Sequence, residues 1–139
     1  MREIVLDTET TGLDPLLGHR IIEICCLELE NHVPTERVYH TLINPERDIP
    51  EEAARVHGLT AEKLASAPVF SAIAEDLLSF IGDAPLVIHN AEFDLKFLNA
   101  EFERLGRPPL PPSRGIDTIA ADECLFMGVF AKSRKEPDR

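Results

Sequence analysis

The sequence predicts an α/β fold, in which three antiparallel strands are followed by helices that alternate with further strands of the same sheet. Three observations predict it. The first 44 residues hold three strand-like runs joined by turn-prone segments. The character then changes at "NPERDIPEE", where prolines and acids open helical segments. Two amphipathic runs follow, and the strand-like "PLVIHN" lies between them.

Taken in order, "EIVLD" is short, β-rich and followed by the turn-prone "TTGLDP", so it reads as a buried strand. "RIIEICCLELE" (20–30) is long enough to be central. "RVYHTLIN" (37–44) alternates aliphatic and polar residues, and "NHVPTE" reads as the connection before it. A short helix is expected over 51–56, and Thr60 opens a second before "AEKLASA". "VFSAIAEDLLSFIG" spaces Phe70, Ile73, Leu77, Phe80 and Ile81 three and four residues apart and closes at Gly82. "AEFDLKFLNAEFERLG" does the same with Phe93, Phe97, Leu98, Phe102 and Leu105, stopped by Gly106. "RPPLPPSRG" is a rigid connection. "IDTIAADECLFMGVF" reads as a short strand and then a helix, ahead of a polar, frayed "AKSRKEPDR".

The 139 residues, 44% of them hydrophobic, suit one domain with a real core. Acids outnumber bases 25 to 14, a formal net charge of −11, which excludes bulk electrostatic binding of nucleic acid. Contact with such a polyanion has to be local or carried by metal ions. Adjacent Cys25 and Cys26 sit in an apolar run, and with Cys124 they form no framework spacing, which points to a reducing compartment. No run reaches signal-peptide or membrane-spanning character. The expectation is a cytoplasmic protein with no membrane partner.

The chemistry starts at "IVLDTETTG" (4–12). Side chains alternate along a strand, so Asp7 and Glu9 share a face. Two like charges side by side are costly without a cation between them. A strand-end pair of this kind also has a bland reading, as turn caps or solvated acids. Asp94 adds weight, because it lies where "PLVIHN" enters its helix, among Phe93, Leu95, Phe97 and Leu98. Should the first and fourth strands be neighbours, their ends converge and gather three carboxylates. Hard oxygen ligands without clustered Cys or His suit Mg²⁺ or Mn²⁺. Two such ions about 4 Å apart clamp the attacking and leaving oxygens of a phosphodiester. Glu23, an acid inside an apolar strand, is expected to be buried and hydrogen-bonded.

"DTETTG" with "HNAEFD" resembles the first two motifs of the DEDD-type 3′–5′ exonucleases. The wider pattern "VLDTETTGLDP…GHRIIEI…LINPERDIPEEAARVHGLT…APLVIHNAEFDLKFLNAE", from about residue 2 to about residue 120, resembles the epsilon, or proofreading, subunit family of bacterial DNA polymerase III. The resemblance implies an RNase H-like mixed five-stranded sheet flanked by helices, with a C-terminal part missing. It implies removal of nucleotides from a DNA 3′ end with two Mg²⁺ or Mn²⁺ ions, and the polymerase III catalytic subunit and other replisome proteins as partners. Asp7, Glu9 and Asp94 then match metal ligands. Thr10, Thr11 and Gly12 match the turn that cradles the terminal nucleotide, and Leu13 a wedge against its base. Glu52, His57, Asn90 and Phe93 match positions around the bound nucleotide. Leu13 has a second reading as ordinary core, and His57, before a Gly, as a helix end.

The third motif of that family, a His followed five residues later by an Asp, has no counterpart. No His follows Asn90, and Asp117, Asp122, Glu123 and Asp138 stand in no such context. The general base and the fourth carboxylate are therefore not found. The expected organisation is one incomplete domain over 1–139, family-like over 1–118 and divergent over 119–139. Loss of the base, typically about 10²–10⁴-fold in rate, makes a weak or inactive exonuclease the expectation, with apolar surface of the sheet left uncovered. The polymerase-binding tail that the family carries beyond this domain has no counterpart either, which puts attachment to the polymerase in doubt. Two alternatives stand beside it: a related 3′–5′ exoribonuclease, and a non-catalytic module that docks on replication proteins.

Overall fold

The computed structural model describes residues 1–117, together with the side chains of all but residues 56, 57, 116 and 117. The expected helix after "IDT" and the frayed tail lie outside the described residues, as does Cys124.

Four strands form the body of a mixed sheet: β1 (Arg2–Thr10), β2 (Ile21–Glu30), β3 (Val33–Leu42) and β4 (Leu86–Ile88). A three-residue strand, β5 (Gly115–Asp117), adds to the outer side of β4, so the order is β3-β2-β1-β4-β5. β1 pairs antiparallel with β2, and β2 with β3, whereas β4 runs parallel to β1 and β5 parallel to β4. The antiparallel meander followed by parallel additions is the arrangement expected from the sequence.

One boundary moves. β3 begins at Val33, not near residue 37, because the hairpin turns on two residues alone. Asn31 and His32 hold φ of 53° and 69°. That left-handed pair matches the twist of the flanking strands and lets pairing start at once, Glu30 opposite Val33. Pro34 is tolerated inside the strand because β3 is an edge.

The helices are α1 (Glu51–His57), α2 (Ala61–Leu64), α3 (Phe70–Ile81) and α4 (Ala91–Arg104). The Thr60 side chain caps α2 by accepting from Lys63 N at 3.2 Å. α3 buries Phe70, Ile73, Leu77 and Ile81, and α4 buries Leu95, Phe97, Leu98 and Phe102. Both pack on the Ile4 and Leu6 side of β1, where Phe70 meets Phe102 edge to face with centroids 5.7 Å apart. The opposite side of the sheet carries a smaller cluster of Val5, Cys25 and Leu27. These three are buried. Cys25 and Cys26 are buried in the core, and burial pushes the Cys26 thiol up. No helix among the described residues is long and apolar enough to cross a membrane.

Candidate active site

β1 and β4 are parallel neighbours, paired from Ile4–Leu86 to Leu6–Ile88, so both point their C-terminal ends at one edge of the sheet. Ligands of open α/β sheets collect beyond such ends. Asp7 and Glu9 come from β1. Asp94 comes from the first turn of α4, three residues after the helix begins.

Alternation puts Asp7 and Glu9 on the Val5 side of the strand, and both are half-buried. Glu9 stands opposite Glu23 of β2. Glu23 is buried, as expected, and its carboxylate accepts from His40 Nε2 at 2.6 Å. Thr8 faces the other way, towards α4, and its hydroxyl donates to Asp94 Oδ1 at 2.8 Å.

Asp94 is 5% exposed. Its carboxyl is pushed up to about 7, first by burial and then by the charges of Asp7 and Glu9, while the Thr8 hydrogen bond pulls in the opposite direction. The three acids therefore feel one another's charge. They do not close into a ready cage, since among the described residues no three His, Cys, Asp or Glu side chains are grouped to hold a metal ion. Asp94 is held instead by Thr8, which faces the opposite side of β1 to Asp7 and Glu9.

The remaining sequence candidates fall in different surroundings. Thr10 Oγ1 donates to Gly12 O at 2.6 Å, closing a tight turn. Thr11 is wholly buried, and its hydroxyl oxygen accepts from Arg20 N at 3.0 Å with His19 Nδ1 2.9 Å away. Its side chain is thus engaged by the protein. Leu13 is 84% exposed, so it is not core. Leu16 and Leu17 are exposed beside it, on the short 3₁₀ turn Pro15–Leu17. Asn90 is exposed at the start of α4, and its carbonyl accepts from Asp94 N at 3.1 Å. Phe93 is half-buried, its ring 4.9 Å from that of Phe97. Glu52 is exposed in the first turn of α1, away from any contact described with the acids. The side chain of His57 lies outside the described residues.

Sequence reasoning passed over Thr8, His19, Arg20 and Glu101. Arg20 grips Glu101 of α4 with two hydrogen bonds, 2.9 and 2.7 Å long. Glu101 had a signal: it lies seven residues after Asp94, on the same helix face, beside buried Phe102. Thr8 had none beyond its parity.

A model of the family described as Exonuclease (RNase_T) matches residues 4–136. Among similar proteins, the DNA polymerase III subunit epsilon of Rickettsia felis is 52% identical over 131 residues, covering 92% of this chain and 57% of that protein. The subunit of the same name in Haemophilus influenzae is 47% identical over 138 residues, 96% of this chain and 50% of its own length. The chain thus spans about half the length of these curated relatives. Among solved structures, E. coli exonuclease I in complex with a 5cy-dA13 oligonucleotide superimposes with a TM-score of 0.71 at 18% identity, over 88% of this chain and 29% of that one. The nuclease domain of 3′hExo, a DEDDh family member bound to rAMP, gives 0.67 at 20% identity, over 79% and 62%. At such identities these two speak for the fold alone, and it is the family model, spanning nearly the whole sequence, that places the chain in the Exonuclease (RNase_T) family.

Proposed function

We propose that this chain is a 3′–5′ exonuclease domain of the polymerase III epsilon type, acting on the 3′ end of single-stranded or mispaired DNA. The observation that carries the proposal is the coupling of Asp94 to Asp7 and Glu9. A carboxyl raised to about 7, first by burial and then by the charges of Asp7 and Glu9, is a site short of positive charge. The donor set is all carboxylate, which suits Mg²⁺ or Mn²⁺. Asp7, Glu9 and Asp94 would hold the ions, which when bound supply an activated water and charge stabilisation at the leaving oxygen.

The chain's own residues supply position. Asp7 and Glu9 reach the edge on a strand buried on both sides, which keeps them rigid. The turn from Thr10 to Gly12 seats the terminal nucleotide by its backbone and offers exposed Leu13 to the last base. Phe93 and Asn90 line the opposite side from α4, and the epsilon likeness assigns Glu52 and His57 to positions near the bound nucleotide. Within these 139 residues no His follows position 89, so a polypeptide of this span supplies no third-motif base of its own, and slow turnover is expected of it. The polymerase III catalytic subunit is the partner that the epsilon likeness favours.

The test is digestion of a primer with a mismatched 3′ end in Mn²⁺. Slow release of 3′ nucleotides, abolished by Asp7→Ala, supports the proposal. Preference for short RNA over single-stranded DNA moves it to an exoribonuclease. The absence of a His after position 89 within these 139 residues also favours a second reading of this span, a module that only docks on replication proteins. That reading gains if Mn²⁺ fails to raise the melting temperature.

A further inference from the structure

The turn after β1 is braced from behind by a residue outside the acid group. Thr11 N donates to Arg20 O at 2.9 Å, and Arg20 N donates back to Thr11 Oγ1 at 3.0 Å. Thr11 is 0% exposed, so its own hydroxyl hydrogen needs an acceptor within the protein. We assign that role to His19 Nδ1, 2.9 Å away, with the ring proton then on Nε2. The ring then lies flat against Gly12. A Cβ built on Gly12 would fall 2.5 Å from His19 Cδ2, Cε1 and Nε2. Glycine is required at position 12 for as long as His19 keeps its bond to Thr11.

The brace extends into the helix that carries Asp94. Arg20 is bound twice by Glu101, which is 1% exposed and also accepts from Ile21 N at 3.3 Å. His19, Thr11, Gly12, Arg20 and Glu101 thus form one connected unit between the turn and α4.

We propose that His19 is a positioning residue for the terminal nucleotide, setting the shape of the Thr10–Gly12 turn through Thr11 and Gly12. The proposal rests on the function given above, since it takes that turn as the nucleotide's seat. A purely structural role would weaken every property of the site together. Positioning changes nucleotide binding and leaves the carboxylates' hold on metal intact.

The experiment titrates the full chain with thymidine 5′-monophosphate in saturating Mn²⁺ by calorimetry, and with Mn²⁺ alone by electron paramagnetic resonance. His19→Ala is expected to weaken nucleotide binding about tenfold, the scale of one well-placed hydrogen bond and a seat shifted by a fraction of an ångström, with Mn²⁺ affinity within about twofold. His19→Asn, whose Oδ1 can accept from Thr11 where Nδ1 did, recovers most of the loss. Gly12→Ala weakens nucleotide binding alone and regains part of it when combined with His19→Ala, because the collision is gone. Should His19→Ala not fold, Gly12→Ala alone carries the test: it must weaken nucleotide binding through its collision with the His19 ring and leave Mn²⁺ affinity within about twofold. Unchanged nucleotide binding by His19→Ala, or a parallel fall in Mn²⁺ affinity, overturns this inference alone. Absence of nucleotide binding by the unsubstituted chain overturns both it and the proposed function.

Discussion

The Thr8 hydroxyl donates to Asp94 Oδ1 at 2.8 Å and ties the central strand to α4 across 86 positions of sequence. It favours the ionised form of a carboxyl that burial and two neighbouring acids push the other way. Thr8→Val keeps the shape and removes the donor. The expected loss of stability is about 1–3 kcal/mol at pH 8, where Asp94 is ionised and left without its donor. At pH 5, where the carboxyl is protonated, the loss is smaller. Urea unfolding at the two pH values checks this, and equal losses at both would count against it.

Asp94→Asn should stabilise the metal-free protein and abolish its response to metal. The sign follows from linkage. The folded value, about 7, lies above the ordinary value of 3.8, so the folded state holds the proton more tightly than the unfolded one. This contribution is fully present below about pH 4, declines as pH rises, and is lost above about pH 7. At pH 8 the ionised carboxyl costs on the order of a few kcal/mol, and the Asn variant escapes that cost. The measurement is the difference in melting temperature between the two proteins from pH 4 to pH 8. It should open steadily up to pH 7 and then level, and a constant difference would refute the assignment to Asp94.

Metal binding should run against the same proton. A carboxylate must lose its proton to ligate, so apparent Mn²⁺ affinity at pH 6 is expected to be about tenfold weaker than its plateau above pH 7. Thermal shift at fixed Mn²⁺ across that range measures it. Asp7→Ala should remove most of the shift at every pH. A pH-independent response would mean that Mn²⁺ binds elsewhere.

Much of this arrangement was legible in the sequence, and the parts that were not share a cause. Period two in "IVLDTE" put Asp7 and Glu9 on one side, and spacing of three and four in α3 and α4 named most of their buried faces, Leu105 being the exception at 37% exposed. Those patterns depend on the local backbone alone. The sequence pattern starts β3 late because "NHVPTE" looks like a loop, whereas two left-handed residues, Asn31 and His32, are enough to turn the chain. Thr11 was read beside Thr10 and Gly12 as a nucleotide contact, yet its hydroxyl is consumed by partners eight and nine residues on. Whether a polar side chain faces ligand or protein depends on which distant residue reaches it. The same holds for Glu101, an acid on an apolar helix face whose meaning appears only when Arg20 arrives from β2's entrance.

That Arg20–Glu101 pair offers the last test. Glu101 is almost wholly buried, and Arg20 is about four-fifths so, with side-chain exposures of 2% and 19%. Arg104 adds a longer contact to the same carboxylate at 3.6 Å. Removing one member of a buried pair leaves the other uncompensated, at a cost of about 3–5 kcal/mol, while replacing both by apolar residues is often near neutral. Glu101→Ala should therefore destabilise by that amount, and Glu101→Leu with Arg20→Met by much less. Chemical denaturation of the single and double variants gives the coupling. The local consequence separates this brace from a generic core defect. Thr11 N–H and Arg20 N–H are bonded across the turn, so hydrogen exchange at these two amides should accelerate in Glu101→Ala more than at Ile4 or Leu6 in the centre of β1. Uniform acceleration along β1 would show that the pair supports the core as a whole and does not hold the turn.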